Sequence, residues 1–248
     1  MINVLVNGYD GKMGKEVIKQ IEQNELFNVV AGFDKDIVND SNFPVYSNID
    51  DIKIIPDVII DFSVPVSTFN ILKYAKQNNI PIVIATTGFT DEELELIKSY
   101  SSSIPLFKAA NMSFEINIMA DIVSKLAKML PESDIEIIET HHNKKIDAPS
   151  GTALFLADSI NNSLDNTMNY EYNRHSKREK RGKKEIGIHS VRGGTEVGKH
   201  TIMFFGENES FEISHTSTSR TVFANGALKA AQFIITQQPG FYSMKDIV

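Results

Sequence analysis

Near its amino terminus the chain reads Ile2-Asn3-Val4-Leu5-Val6-Asn7-Gly8-Tyr9-Asp10-Gly11-Lys12-Met13-Gly14, a short apolar run that leads into a glycine-rich turn. The next segment, 15–23, carries apolar side chains at helical spacing. The pattern predicts a strand, a tight turn and a helix. A dinucleotide-binding fold has its phosphate loop at this place, because glycine lets the backbone approach a pyrophosphate and the helix amino terminus stabilises the negative charge.

The spacing of these glycines is G-x-x-G-x-x-G rather than the commoner G-x-G-x-x-G. Asp10 stands where the middle glycine is usual, and its carboxylate would repel a pyrophosphate unless it points away. A plain strand-to-helix turn is the alternative interpretation. Asp34, which follows the second predicted strand, favours the cofactor site because an acid there accepts hydrogen bonds from adenosine ribose hydroxyls. Its neighbour Lys35 can pair with the additional phosphate of NADP, so we expect both NADH and NADPH to be used.

Further apolar runs alternate with helical segments up to about residue 110. The predicted strands are 28–33, 57–62, 81–85 and 104–108, and the predicted helices between them include 66–77 and 91–100. Strands that are almost wholly apolar and alternate with helices indicate a parallel sheet covered on both faces. This part of the chain therefore predicts an α/β, doubly wound (Rossmann) dinucleotide-binding domain.

Small polar clusters follow two of these strands, at 85–88 and at 109–113. Because ligands of an open parallel sheet lie at the carboxyl ends of its strands, we expect both clusters to border the cofactor crevice. Thr86 and Thr87 can equally be ordinary turn residues. The predicted cofactor-binding residues are Gly8, Tyr9, Asp10, Gly11, Lys12, Met13, Asp34, Lys35, Ala85, Thr86, Thr87, Ala109, Ala110, Asn111 and Met112.

The pattern changes after Asn111. Helices are predicted at 115–130, 152–164 and 221–236, and strands at 134–140, 186–191, 200–205 and 210–216. The last three strands have little helix between them, which predicts a second, α+β domain with a largely antiparallel or mixed sheet.

One polar motif joins a predicted strand to a predicted helix: Glu139-Thr140-His141-His142-Asn143-Lys144-Lys145-Ile146-Asp147-Ala148-Pro149-Ser150-Gly151-Thr152-Ala153. Pro149 cannot continue the helix backwards and Gly151 is flexible, so N–H groups of the first turn should face outward and suit a substrate carboxylate. Ser150 as a simple N-cap is the plain alternative, and it is compatible with an anion site.

The histidine pair within this motif indicates acid–base chemistry on an anion. Adjacent side chains of a strand point to opposite faces, so both rings can reach one site only if the strand ends near Thr140. A metal site is disfavoured, and none is expected, because Lys144 and Lys145 would repel a cation and no third ligand follows at a familiar spacing. Two imidazoles beside two ammonium groups instead indicate binding of a dianion and proton delivery to it.

The composition excludes several classes of protein. The chain has 248 residues, 42% of them hydrophobic and 23% charged, and no apolar run approaches the roughly 20 residues that cross a bilayer. Its first residues do not have the pattern of a signal peptide, so we expect a cytoplasmic protein without a membrane role. The absence of cysteine excludes disulfides and thiolate catalysis.

A net charge of −7 opposes nucleic-acid binding. Segment 174–184 runs against this trend, with seven Lys or Arg residues and one acid. A solvated loop is the favoured interpretation. A flexible lid over an anionic pocket comes second, and a nucleic-acid contact comes third.

With these residues in place, the chain resembles the family of 4-hydroxy-tetrahydrodipicolinate reductases, also called dihydrodipicolinate reductases, of the diaminopimelate route to lysine. The motif at 139–153 is its most specific element. The other matching elements, in order, are Gly8 to Gly14, Asp61-Phe62-Ser63, Ala85-Thr86-Thr87-Gly88-Phe89, Ala109-Ala110-Asn111-Met112-Ser113, Val191-Arg192-Gly193-Gly194 and Phe223-Ala224-Asn225-Gly226-Ala227.

The resemblance implies an NAD(P)H-dependent reduction of a cyclic imine dicarboxylate, formed when the 4-hydroxy compound loses water. It implies a dinucleotide-binding domain at 1–112, completed by 221–248, and a substrate-binding and tetramerisation domain at 113–220, within a homotetramer.

The resemblance also implies residue roles. His141 is similar to the family's general acid or base, and Lys145, rather than Lys144, to its proton donor. The implied substrate-binding residues are His142, Ser150, Gly151 and Thr152. Asp34 and Lys35 resemble the pair that discriminates between the cofactors, Met112 stands where some relatives carry phenylalanine, and Arg220 is a weaker candidate for a substrate or cofactor contact.

Two other functions remain open at this point. The chain can be another NAD(P)-dependent dehydrogenase of an amino-acid pathway, although one that forms a thioester would need cysteine. It can also be a regulator that binds NAD(P) without turnover. The predicted acid, lysine and anion site argue against a regulator, because a sensor needs no proton donor.

Overall fold

The computed structural model describes residues 1–37 and 41–248. The chain forms two compact units. Unit 1 consists of Met1–Phe114 and Arg220–Val248, and unit 2 consists of Glu115–Ser219.

The strands and helices follow one another closely along the chain. The strands are β1 (Ile2–Asn7), β2 (Phe27–Phe33), β3 (Val45–Tyr46), β4 (Val58–Asp61), β5 (Ile82–Ile84), β6 (Pro105–Lys108), β7 (Asp134–His141), β8 (Asn169–Glu171), β9 (Glu185–Arg192), β10 (Gly198–Phe205), β11 (Ser210–Ser217) and β12 (Gly240–Tyr242). The helices are α1 (Lys12–Glu22), α2 (Pro65–Asn78), α3 (Asp91–Tyr100), α4 (Phe114–Met129), α5 (Gly151–Ser163) and α6 (Thr221–Ile234).

Unit 1 is built on a seven-stranded parallel sheet in the order β12-β6-β5-β4-β1-β2-β3. Alternate residues of the central strands face two separate cores. Val4 and Val6 lie in one core with residues of α1 and α6, whereas Leu5 lies in the other with residues of α2. Helices therefore cover both faces of the sheet, which confirms the predicted doubly wound arrangement.

The turn after β1 depends on close contact between backbone segments. Gly8 has φ +80°, and a Cβ there would lie 2.5 Å from the Phe62 carbonyl oxygen. A Cβ at Gly14 would lie 2.0 Å from the Gly8 oxygen. Since neither position has room for a side chain, the glycine motif is explained first by packing of the turn against β4 and α1.

Three short strands were absent from the sequence prediction. They are β3, β8 and β12, of two or three residues each. Such lengths are too short for the alternation that identifies a strand. Helix α1 also begins earlier than predicted, at Lys12, because the last residues of the glycine motif form its first turn.

Unit 2 contains a five-stranded mixed sheet in the order β11-β10-β7-β9-β8, as predicted. Strand β10 is antiparallel to β7 and β11, whereas β9 is parallel to β7 and β8. Residues of α4 and α5 pack against one face of this sheet and form a third core. Along β7 every second residue is buried, which places Glu139 and His141 on the same covered face.

The basic segment 174–184 lies within unit 2, and several of its charges are paired with acids. Arg174 contacts Glu185 at 2.5 Å, and Arg181 contacts both Asp134 and Glu136. These pairs reduce the positive charge that the segment offers to an anionic partner. Among the described residues, no helix has the length and apolar character needed to cross a bilayer.

Candidate active site

Strand β7 ends in a buried carboxylate and a buried imidazole. Glu139 is fully buried, and its Oε2 lies 2.5 Å from His141 Nδ1. The two residues are separated by one position, so the strand geometry places both side chains on one face.

Arg192 on the adjacent strand β9 neutralises Glu139. Its Nη1 and Nη2 donate to the two carboxylate oxygens at 2.8 and 2.7 Å, a paired arrangement that suits guanidinium and carboxylate. Burial alone would raise the pKa of Glu139, but hydrogen bonds from Arg192, Ser190 and His141 outweigh it and lower the pKa to about 2. Glu139 is therefore ionised at neutral pH.

His141 is enclosed on the side away from Glu139 by strand β10. A Cβ at Gly198 would lie 3.1 Å from His141 Nε2, so the absence of a side chain at Gly198 leaves space for that nitrogen. The ring of His200 lies edge-on, with the two ring centroids 5.2 Å apart. Burial lowers the pKa of His141; Glu139 partly offsets this, and Lys145 and Arg192 lower it further. The neutral imidazole is favoured at pH 7.

The amino terminus of α5 is joined to the same cluster through Ser150. The Ser150 N–H donates to Glu139 Oε1 at 3.1 Å, and its Oγ accepts from the Ala153 N–H and lies 3.0 Å from His200 Nε2. Ser150 is thus an N-cap whose hydroxyl and amide are both hydrogen-bonded within unit 2. Gly151, next in the chain, is exposed, and a Cβ there would meet nothing within 4 Å.

The other predicted site residues lie on the segment between β7 and α5 and at the start of α5. Lys145 is largely covered and its Nζ lies 2.9 Å from Asp147, whereas Lys144 is exposed. The His142 N–H donates to the Glu196 carbonyl, and its buried Nδ1 has no partner among the described residues. Thr152 is half-buried in the first turn of α5.

Strand β7 continues through His141, one residue beyond the predicted end. The two histidines therefore differ in environment: His141 is buried with Glu139, and His142 follows the strand. Three contributors, Arg192, Gly198 and His200, were not predicted as site residues. Arg192 occurs in the family motif Val191-Arg192-Gly193-Gly194, which was the available signal for it. No group of three or more metal-ligating side chains is present in residues 1–37 and 41–248.

In unit 1, the glycine turn has the properties of an anion site. Helix α1 begins after Gly11, whose position provides no side-chain cap, so its first N–H groups suit a phosphate. Asp10 does not carry an isolated charge, because Lys15 Nζ lies 2.9 Å from its carboxylate. Lys12 is exposed and Met13 packs on the core. These residues fit a dinucleotide.

Asp34 connects the ends of β1 and β2. Its Oδ2 accepts from the Asp10 N–H at 3.3 Å, and its Oδ1 accepts from the Lys35 N–H at 2.8 Å. The Lys35 side chain is exposed. Tyr9 is buried against Gly32 and Phe43, so a cofactor contact at Tyr9 would come from its main chain.

The remaining predicted cofactor residues follow β5 and β6 at the carboxyl edge of the sheet. Thr86 is buried and accepts from the Ser63 N–H at 2.9 Å, whereas Thr87 is exposed. Asn111 is buried and accepts from the Ser113 N–H. Ala85 and Ala109 pack on the core, Met112 is buried and Ala110 is exposed. Arg220 is exposed at the amino end of α6.

Comparison with known families accounts for nearly the whole chain. Residues 2–112 match dihydrodipicolinate reductase, N-terminus, and residues 115–248 match dihydrodipicolinate reductase, C-terminus. The chain belongs to the dihydrodipicolinate reductase family. This confirms the resemblance inferred from the sequence motifs.

Other members of the dihydrodipicolinate reductase family are similar over their full length. The 4-hydroxy-tetrahydrodipicolinate reductase of Caldanaerobacter subterraneus subsp. tengcongensis is 50% identical over 248 residues, which cover 100% of this chain and 98% of that protein. The enzyme of the same name from Clostridium novyi is 43% identical over 251 residues, with the same coverage. A dipicolinate-bound dihydrodipicolinate reductase from Paenisporosarcina sp. TG-14 has a TM-score of 0.85 and 30% identity, with all of both chains covered.

Proposed function

We propose that the protein is a 4-hydroxy-tetrahydrodipicolinate reductase of the diaminopimelate route to lysine, acting in the cytoplasm as a homotetramer with NADH and NADPH. The observation that carries this proposal is the buried Glu139–His141 pair beside the amino terminus of α5. It lies within the family's most specific motif, and it combines a proton-transfer group with an anion site.

Unit 1 would bind the cofactor. The turn from Gly8 to Gly14 and the first turn of α1 suit the pyrophosphate, Asp34 suits the ribose hydroxyls, and Lys35 suits the additional phosphate of NADPH. The clusters after β5 and β6 would border the nicotinamide end. When bound, the reduced nicotinamide supplies the hydride.

Unit 2 would bind the dicarboxylate. Gly151 and Thr152, in the first turn of α5, suit one carboxylate, because the helix amino terminus presents N–H groups and a positive dipole end. The exposed backbone at Gly151 permits close approach of a ligand. His142, with its unpartnered buried nitrogen, and Lys145 would complete the site.

His141 and Lys145 divide the proton chemistry. Hydride addition leaves negative charge on the substrate ring, so a nearby acid must supply a proton. A lysine side chain offers N–H donors, and Lys145, on the segment between β7 and α5, is the favoured proton donor. His141 is favoured as a neutral imidazole, so its Nε2 can act as the base when the 4-hydroxy compound loses water, taking a ring proton and returning it to the departing hydroxide.

The proposal is tested by following reduced-nicotinamide absorbance with NADH and NADPH separately, in the presence of freshly prepared condensation product of pyruvate and aspartate semialdehyde. We expect substrate-dependent oxidation of both cofactors, and a large loss of kcat in His141→Gln with little change in cofactor affinity. Tight cofactor binding without oxidation would contradict the proposed activity and favour a regulator.

A further inference from the structure

We propose that Glu139 and Arg192 act together as positioning residues that hold His141 with a proton on Nδ1 and a proton-accepting lone pair on Nε2. This inference rests on the proposed reductase function, since it specifies how the base of that reaction is prepared. Neither residue needs to touch the substrate to have this effect.

The parallel pairing of β7 and β9 determines where the two residues lie. In the register of these strands, His141 is opposite Arg192 and Glu139 is opposite Ser190. Arg192 therefore lies diagonally across from Glu139, and its guanidinium reaches both carboxylate oxygens. Both strands belong to the core sheet of unit 2, so the pair is held by backbone hydrogen bonds as well as by its own contacts.

The carboxylate determines the tautomer of His141. An ionised carboxylate can only accept hydrogen bonds, so the contact of 2.5 Å requires the proton to be on Nδ1. The neutral ring then has its lone pair on Nε2, beside Gly198. Because Gly198 has no side chain in the space beside Nε2, this nitrogen is open to a substrate proton.

Arg192 prevents Glu139 from taking the proton itself. A buried carboxylate without a cation would be protonated or would hold His141 as an imidazolium. The guanidinium favours the ionised carboxylate and disfavours the imidazolium. Arg192 Nη2 also donates to the Asp147 carbonyl at 2.6 Å, and Asp147 pairs with Lys145. The same side chain thus links the base to the segment that carries the proposed acid.

The two residues have opposite electrostatic effects on His141. The charged or titratable groups that face its ring are Glu139 on β7, Arg192 on β9, His200 on β10, and Lys145 on the following segment. Glu139 stabilises the imidazolium, whereas Arg192 and Lys145 destabilise it. Neutralising Glu139 should therefore lower the pKa of His141, and neutralising Arg192 should raise it.

Strand β7 supplies a matched control. Glu136, on the opposite face of the same strand, also contacts one arginine and one histidine: Arg181 Nε lies 3.0 Å from its Oε1, and His189 Nε2 lies 2.7 Å from its Oε2. Glu136→Gln therefore removes a similar group of contacts without touching His141.

The experiment titrates the histidine ring nitrogens by ¹⁵N NMR in the full-length protein, without nucleotide. The samples are the unsubstituted protein, Glu139→Gln, Arg192→Met and Glu136→Gln, and His141→Gln identifies the His141 signals. We expect the Nδ1–H tautomer before substitution, a pKa about one unit lower with a mixed tautomer in Glu139→Gln, and a pKa about one unit higher in Arg192→Met. Glu136→Gln should leave the His141 signals unchanged.

Shifts in the same direction in Glu139→Gln and Arg192→Met, or an unchanged tautomer in Glu139→Gln, would overturn the inference. If either variant does not fold, Arg192→Lys and Glu139→Asp replace them. Arg192→Lys keeps the positive charge and should preserve the Nδ1–H tautomer of His141. Glu139→Asp withdraws the carboxylate oxygens from Nδ1 and should abolish the preference for that tautomer. Loss of the tautomer in Arg192→Lys together with its retention in Glu139→Asp would also overturn the inference.

Kinetics separate this inference from the proposed function. The pH at which kcat/KM falls on the acid side should move down in Glu139→Gln and up in Arg192→Met, with cofactor affinity unchanged. Opposed NMR shifts in a protein that oxidises neither cofactor would refute the reductase activity and leave the positioning intact. Normal turnover without the opposed shifts would refute the positioning alone.

Discussion

At the scale of single residues, the two units bury carboxylates in different ways. Glu139 in unit 2 faces a guanidinium and has a pKa of about 2. Asp61 in unit 1 is equally buried but faces only neutral donors, and burial raises its pKa although hydrogen bonds from Ser63 and Thr68 oppose the shift. A negative charge is thus stabilised strongly in one site and weakly in the other.

Asp61 should tolerate an amide better than a truncation. Its Oδ1 accepts from Asn7 and Ser63, and its Oδ2 accepts from the Thr68 hydroxyl, which also lies 3.3 Å from the Val64 carbonyl. The Thr86 side chain is a further hydrogen-bond donor to this carboxylate. In Asp61→Asn, the new N–H can donate to Thr68, and the hydroxyl can turn to Val64. We expect a change below about 1 kcal/mol in the free energy of unfolding, against a loss of about 2–4 kcal/mol in Asp61→Ala, measured by urea unfolding.

Equal losses in the two variants would show that the charge of Asp61, rather than its hydrogen bonds, is needed.

His200 should make the stability of unit 2 depend on pH. Burial, with nearby His141, lowers its pKa to about 4, whereas an unfolded histidine titrates near 6.5. Between these two pH values the histidine is protonated in the unfolded chain and neutral in the folded chain. The free energy of unfolding therefore falls as the pH decreases from about 6.5 to about 4, by at most about 3 kcal/mol. His200→Gln should have a shallower loss, measured by urea unfolding across this range.

His175, which is exposed, provides the control for this prediction. His175→Gln should keep the full slope. Glu139, His141, His215 and Lys145 also face His200, so part of the slope should survive in His200→Gln. If the free energy of unfolding depended on pH equally in His200→Gln and His175→Gln, His200 would not be the source of the pH dependence.

Lys35 tests the proposed phosphate contact. Lys35→Ala should weaken NADPH binding by several-fold to about tenfold and leave NADH binding nearly unchanged, because only NADPH has the additional phosphate. Dissociation constants from fluorescence titration give the comparison, with the exposed Lys53→Ala as control. Equal effects on the two cofactors would contradict the phosphate contact.

The sequence predicted site residues best where they are neighbours in the chain. Glu139, His141 and Ser150 fall within one motif, so their proximity was foreseeable. Arg192 is 53 positions from Glu139 and His200 is 50 positions from Ser150. Such contacts depend on strand order and register, which local patterns do not specify.

At the scale of elements, one close backbone contact fixes the position of helix α6 against the segment after β6. A Cβ at Gly226 would lie 1.6 Å from the Met112 carbonyl oxygen, so the helix backbone rests directly on the segment after β6. Lys229 of the same helix has its Nζ 3.9 Å from the centre of the Phe114 ring. The family motif at 223–227 therefore includes a glycine that packing requires.

Gly226→Ala should destabilise the protein although alanine favours helix by about 1 kcal/mol. The clash with Met112 forces the helix or the segment to move, and we expect a net loss of about 2–4 kcal/mol in thermal or urea unfolding. Asn225→Ala, at the exposed neighbouring position, should be neutral or slightly stabilising. Similar stability in the two variants would contradict the close contact.

Elements were predictable from sequence where they are long and periodic. The helices α1 to α6 were placed within a few residues, because apolar side chains recur at helical spacing. Strands β3, β8 and β12 were missed because each has only two or three residues and lies in no apolar run like the one at 81–85. Such a strand is recognised only from its pairing, as that of β12 with β6.

At the scale of the whole molecule, the two units have separate cores, two in unit 1 and one in unit 2. The core of unit 2 is formed by residues between Ile116 and Ile213. Of the two cores of unit 1, the one on the side of α1 and α6 needs both segments of the unit, because Ala224, Ala227 and Ile234 of α6 are buried there with residues of β1 and α1.

A fragment of residues 115–219 should therefore fold by itself, whereas a chain ending at 219 should contain a folded unit 2 and an unfolded unit 1. ¹⁵N–¹H NMR spectra of the two chains test this, because the dispersed signals of unit 2 should appear in both. A fully dispersed spectrum of the 1–219 chain would contradict the prediction.

The doubly wound sheet and the family were predictable at this scale, because alternating apolar strands and an ordered series of motifs extend along the chain. The family resemblance, rather than periodicity, indicated that the final helix returns to the first domain. Periodicity identifies elements and does not say which distant segments pair.

The edge position of β12 has a consequence for synthesis on the ribosome. Residues 240–242 form the strand that pairs with β6, and α6 precedes them. The first segment of unit 1 is synthesised before unit 2, but these parts of unit 1 are synthesised after it. Unit 2 is a continuous segment and can fold while unit 1 is still incomplete. Unit 2 is therefore expected to fold before unit 1, although the synthesis of unit 1 begins first.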